Sequence, residues 1–218
     1  SQSHPGRYLC VYSYLWSNEP PMDPDTKIPD NMVVQKAFPH ETDLARFDRW
    51  SQRGLSFGQH EYIYDCGFHE FRHYPRQLAH ELRHRYRRGL KTTTFESYSL
   101  ASRCAPKLWI LGRLLWNVRA DVDKLTNEYC RLAYGAAAQP MRQFWDRWEG
   151  IYLREPNEHR RRTFMANWMN ECEQMKNITF KDVTYLTDTI QKALELADNT
   201  EDRMRVEMVA AEYDRSKT

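Results

Sequence analysis

From Arg7 to Tyr14 the side chains alternate, with Tyr8, Cys10, Tyr12 and Tyr14 on one face and Leu9, Val11 and Ser13 on the other. A period of two predicts a strand. Three more extended segments follow at Met32–Phe38, Leu55–Tyr64 and Leu90–Phe95, the last running into Glu96-Ser97-Tyr98. Between the first two, Trp16 to Pro29 carries Pro20, Pro21, Pro24 and Pro29, and repeated proline excludes regular structure. Leu44, Phe47 and Trp50 stripe a helix that begins near Glu41 and stops at Gly54. Pro75 opens a second helix and Gly89 closes it, the usual placement of those two residues.

From Pro106 onward the period changes to that of helices. Leu108, Leu111 and Leu115 stripe the first, and Val122, Leu125, Tyr129 and Leu132 the second, which Gly135 ends. Met141, Phe144, Trp145, Trp148 and Tyr152 line a third, and a shorter fourth is read over Arg161 to Met175. Val183, Leu186, Ile190, Leu194 and Ala197 line a fifth, and a further helix starts at Thr200, read as its N-cap.

Strand, helix, strand, helix at this spacing argues for parallel pairing with right-handed crossovers. The fold class is therefore read as α/β: the C-terminal half of a TIM-like (β/α) barrel over residues 1–117, then an all-helical region over 118–218. Closing such a barrel takes about eight strands. The chain is accordingly read as part of a larger domain, whose remaining strands are its expected protein partner. An open half barrel would carry unpaired strand edges.

Bulk composition narrows the picture only a little. The 32 basic and 30 acidic residues leave a formal net charge of +2, which gives no support to a nucleic-acid partner. No apolar run approaches the length of a membrane span, so no membrane partner is expected. Cys10, Cys66, Cys104, Cys130 and Cys172 are dispersed and read as small buried hydrophobes rather than a disulfide or zinc framework. Asn177-Ile178-Thr179 is a glycosylation sequon with meaning only in a eukaryotic secretory setting. Neither a metal nor another cofactor is expected.

His-Glu-x-x-His occurs at His69–His73 and again at His80–His84. On a helix this spacing presents two imidazoles to zinc, with the glutamate as general base. The first copy lies in the loop before Pro75. The second sits on a helix, but His80 and His84 fall about 200° from the stripe of Leu78, Leu82 and Tyr86 and should face solvent. Arg83, Arg85, Arg87 and Arg88 crowd the same turns and oppose a dication. A zinc peptidase built on His80-Glu81-x-x-His84 is kept as the minor alternative.

Barrel enzymes place their chemistry just past the strand ends, and glycoside hydrolysis needs two carboxyl groups there. Glu61 and Glu96 are the catalytic candidates by position, with Glu19 a third carboxylate past the first strand. Tyr14, Trp16, His60, Tyr62 and Tyr64 could stack on or hydrogen-bond a sugar. Alternation sets Glu61 in step with Leu55 and Phe57, and His60 with Tyr62 and Tyr64, so only one set points inward. His60 and Tyr62 are read as lining the mouth. Glu96, in step with Thr92 and Thr94, is the better carboxylate.

Tyr74-Pro75-Arg76 through Gly89-Leu90, then Leu114-Leu115-Trp116-Asn117, Asp121-Val122-Asp123, Tyr129-Cys130 and Tyr134-Gly135-x-Ala137-Ala138, carry a resemblance. The chain resembles a large bacterial family, domain of unknown function four-eight-three-eight. That resemblance implies a glycoside-hydrolase-like barrel related to hexosaminidases and alpha-glucuronidases, with the principal acid and nucleophile on a strand this chain lacks. It also implies that Trp116 and Tyr134 pack the helical layer onto the barrel. Asn117-Val118 departs from the family's Asp-Pro, and Thr93 or Thr94 stands where it has a second glycine. The expected function is hydrolysis of a polysaccharide or glycoconjugate in a secreted or periplasmic setting. A non-catalytic carbohydrate-binding or scaffold module is the first alternative.

Overall fold

The computed structural model describes residues 6–13, 19–27, 29–37, 44–53, 56–63, 68, 70–97, 101–154 and 175–217. The chain separates into two compact units, one of residues 1–63 and 80–97 and one of 64–79 and 98–218. The boundary expected at residue 117 thus falls inside the second unit.

The first unit is a sheet of four strands, β1 Leu9–Ser13, β2 Met32–Ala37, β3 Phe57–Tyr62 and β4 Leu90–Glu96, in sequential order. Every neighbouring pair is parallel. This is the α/β arrangement expected from the alternation, with the first three strands shorter than their expected runs and β4 extended to Glu96. Helix α1, Leu44–Gln52, connects β2 to β3, and α2, Pro75–Arg87, connects β3 to β4.

Register sorts the side chains into two faces. Tyr12, Gln35, Gly58 and Thr92 form one row across the sheet, and His60 and Thr94 stand beside each other two residues further on. Ser13, Lys36, Gln59 and Thr93 form a row on the opposite face. Helix α2 covers that second face, and α1 lies beside α2. Arg85 of α2 donates to Gln59 and Glu61 there, and Asp48 of α1 is joined to His84 and Arg88 beside α2. Among the described residues of this unit, neither helix reaches the Tyr12–Gln35–His60 side.

A bulge sets Phe57 opposite Leu90 but Gly58 opposite Thr92, so Lys91 is the extra residue. Glycine is required at 58 by that close approach. A Cβ there would stand 2.6 Å from Thr92 Cγ2 and 3.0 Å from the Thr92 carbonyl oxygen. The proline-rich stretch before β2 is pinned by Arg53, whose Nη2 donates to the carbonyls of Asp23, Pro24 and Thr26.

The second unit is helical: α3 Ala101–Trp116, α4 Val122–Tyr134, a 3-10 turn at Gly135–Ala137, α5 Ala138–Tyr152, α6 Phe180–Leu196 and α7 Thr200–Arg215. Helix α3 begins before the expected Pro106, which is accommodated inside it. The fourth expected helix, over Arg161 to Met175, lies almost wholly outside the described residues. Asp121 caps α4, and Thr179 and Asp182 cap α6 reciprocally in a capping box. Thr179 of the sequon is thus committed to a helix start. Asn199, one residue before the expected Thr200, caps α7 by accepting from the Asp202 N–H.

The core of this unit is aromatic. Phe144, Trp145 and Trp148 on α5 pack around Phe71, Tyr134 and Tyr213. The α5 stripe is buried as expected, and so are Leu186 and Ile190 of α6. Two stripes differ in part from the reading. In α3 the expected Leu111 is buried, joined by Cys104, Ile110 and Leu114, while Leu115 is exposed. In α4 the expected Val122 and Leu125 are buried, joined by Cys130 and Tyr134, while Leu132 is exposed. Trp116, expected to pack the helical layer, is 93% exposed, whereas Tyr134 is buried and accepts a hydrogen bond from Trp145 Nε1. Of the cysteines, Cys104 and Cys130 are buried as expected and Cys10 is exposed.

Candidate functional site on the open face of the sheet

The residues just before each strand end gather on the open face. His60, from β3, reaches Glu96 at the end of β4, with Nε2 and Oε2 3.3 Å apart. The contact is diagonal, since Tyr62 is the register partner of Glu96 and Thr94 that of His60. Parallel strands with a twist bring such diagonal neighbours together. The imidazole stands edge-on to two tyrosines. Tyr12 approaches from β1 with centroids 5.3 Å apart, and Tyr62 lies at 5.1 Å on the other side. Gln35 donates to the Thr94 hydroxyl at 3.2 Å and fills the floor between β2 and β4.

Burial fits a recess with an accessible rim. Gln35 is buried, the His60 side chain is 14% exposed and that of Glu96 29%. Tyr12 and Thr94 are exposed. His60 Nδ1 is buried without a hydrogen-bond partner among the described residues. A buried N–H without an acceptor is costly, so the proton belongs on Nε2, where it is donated to Glu96. One carboxylate oxygen is thereby fixed, and Glu96 keeps its other oxygen for a ligand. Chemically, the arrangement offers an oriented acceptor, an aromatic wall and a hydroxyl.

The two proposed carboxylates are not brought together. Glu61 lies on the helix-covered face, where its Oε2 accepts from Arg85 Nη1 at 3.1 Å and from Gln59 at 3.2 Å. Arg85 also holds Glu81 at 3.1 Å, and all three charged side chains are buried. Glu61 therefore belongs to an internal ionic cluster that ties α2 to β3. The alternation had already put it out of step with His60. Glu19 is engaged on the surface by Arg49 Nε and Nη2, each at 3.0 Å.

Tyr14, Trp16 and Tyr64 lie outside the described residues. Tyr12 and the floor residues Gln35 and Thr94 had not been singled out. Their signal was present, since Tyr12 shares the face of Tyr14 in the first strand and Thr94 that of Glu96. Gln35 gave none, because a single glutamine in an apolar strand has no preferred reading.

The second His-Glu-x-x-His is differently employed. Glu81 faces inward to Arg85, His80 is exposed, and His84 is half-buried against Asp48 at 3.3 Å rather than solvated as expected. The zinc reading needs Glu81 as an accessible base, and its carboxylate is instead internal. His69 of the first copy lies outside the described residues.

The model of a family described as Domain of unknown function (DUF4838) matches residues 1–146. The chain belongs to this family. Neither the curated proteins nor the solved structures yield a match. The matched span of this DUF4838 chain contains the four described strands and the His60–Glu96 recess, and it ends within α5.

Proposed function

We propose that the open face forms part of a carbohydrate site in a glycoside-hydrolase-like (β/α) barrel, with the four strands as half of that barrel. The observation that carries the reading is the His60–Glu96 pair, flanked by Tyr12 and Tyr62 where the β3 and β4 ends meet on the face opposite Arg85 and α2. Parallel strands in sequential order with helices in the connections are the pattern of a barrel wall, and barrel chemistry sits at the C-terminal strand ends. Tyrosine walls and oriented carboxylates suit sugar rings and hydroxyls. Glu96 is the substrate-contacting carboxylate, His60 holds it, and Tyr12 and Tyr62 line the recess.

Hydrolysis needs a second carboxyl group. Among the described residues of the strands, Glu96 is the one carboxylate on this face, so the second must come from elsewhere in the barrel. That same observation favours a second reading, a binding module without turnover. An aryl-glycoside panel and a glycan-binding assay on the intact protein separate them. In the hydrolytic case Glu96→Gln lowers kcat far more than it weakens binding. Glycan binding with no turnover of any substrate would favour the module. Unchanged turnover in Glu96→Gln would remove Glu96 from the mechanism.

A further inference from the structure

We infer that the recess selects neutral or amine-bearing sugars and rejects uronates. The inference rests on the carbohydrate reading above. Tyr12, Gln35, His60, Tyr62, Thr94 and Glu96 supply an acceptor carboxylate, neutral hydrogen-bonding groups and aromatic faces. None of them is a permanent cation. Four arginines of this unit are engaged away from the recess: Arg85 on Glu61 and Glu81, Arg88 on Asp48, Arg49 on Glu19, and Arg53 on loop carbonyls.

Carboxylate recognition is ordinarily the work of arginine or lysine, arginine binding through two parallel hydrogen bonds. A sugar carboxylate entering beside Glu96 would instead meet a like charge in a partly desolvated recess. Between partly buried unit charges a few ångströms apart, that repulsion outweighs what neutral hydrogen bonds return. An ammonium group gains from the same carboxylate and from the tyrosine faces. His60 sharpens the effect. By donating its Nε2–H to Oε2, it holds the Glu96 carboxylate pointed along one direction.

The test measures binding of the intact protein to three oligosaccharides of equal length: glucosamine, a neutral cello-oligomer and galacturonate. The expected order places galacturonate weakest, about tenfold below the neutral oligomer at low salt. Raised salt should narrow the gap. Glu96→Gln keeps the shape and should erase most of the discrimination. Thr94→Lys adds a cation at an exposed position opposite His60 and should strengthen galacturonate binding. Equal or preferred binding of galacturonate by the unaltered protein would overturn the inference while leaving the carbohydrate reading intact. So would an unchanged ranking in Glu96→Gln. Failure of all three oligosaccharides to bind would instead overturn the carbohydrate reading itself.

Discussion

Gly135, at the end of α4, should be the residue of the helical unit least tolerant of a single added carbon. Its φ of 49° with ψ of −118° is a conformation that side-chain-bearing residues rarely adopt, and holding alanine there costs about 1–3 kcal/mol. The added Cβ would also stand 2.1 Å from Asp202 Oδ2. That oxygen cannot simply swing away. Asn199 donates to it at 2.6 Å, while Arg205 holds the other carboxylate oxygen at 3.0 Å and reaches the Ala133 carbonyl. Overpacking of this kind costs roughly another 1–3 kcal/mol. Gly135→Ala should therefore lose about 2–6 kcal/mol, a large share of the roughly 5–15 kcal/mol that holds a typical domain folded. Urea denaturation followed by far-ultraviolet circular dichroism measures the loss. Pairing the variant with Asp202→Ala completes a double-mutant cycle. Removing the carboxylate should relieve the collision and leave the backbone share. The double variant would then lose less than the sum of the two single variants. A Gly135→Ala protein within about 0.5 kcal/mol of the parent would refute the reasoning, as would strict additivity.

His73 is buried, and desolvation, with Lys107, Arg76 and Arg142 adding to it, pushes its pKa well below the usual histidine value. The folded form thus resists a proton that the unfolded chain accepts near pH 6.5. Stability is present above that pH and lost as pH falls below it, by about 1.4 kcal/mol per unit until the folded value is reached. Subtracting the pH dependence of His73→Gln from that of the parent isolates the histidine's share, and identical melting profiles would refute it. Arg85→Leu should cost about 3–5 kcal/mol by leaving Glu61 and Glu81 buried without their shared cation, read as a shift in the urea midpoint. A smaller loss at low pH than at neutral pH would accompany it, and equal losses would argue against stranded charge. Thr179→Ala should remove the α6 cap at a cost of about 1 kcal/mol by thermal melting, with no change in the aromatic near-ultraviolet signal.

Strand positions and faces were legible because each apolar run alternates or is bounded by proline and glycine, and parallel pairing followed from the helices between them. The separation of Glu61 from His60 was legible for the same reason, since period two leaves no freedom once one face is chosen. The fate of Glu61 was not, because its partner Arg85 comes from a helix more than twenty residues later and looked like one more member of a solvated basic run. Helix stripes were misread in part where a helix has too many apolar residues. In α3 several leucines, an isoleucine and two tryptophans compete for one buried face, and Leu115 and Trp116 are left outside. The start of α3 was misplaced because Pro106 resembles a first-turn proline, and nothing local marks the turn that precedes it. The recess floor was invisible for another reason. Gln35 and Thr94 acquire meaning only through cross-strand register, a long-range property.

The ionic cluster under the sheet also acts as an indexing pin for β3. Sliding that strand by one position would swing Gln59 and Glu61 into the open recess and drive His60 and Tyr62 against α2, stranding Arg85 without its anions. The energetic penalty for that slip is far larger than shape alone would impose. Which side chains line the recess is therefore decided on the reverse of the sheet, by residues that take no part in it.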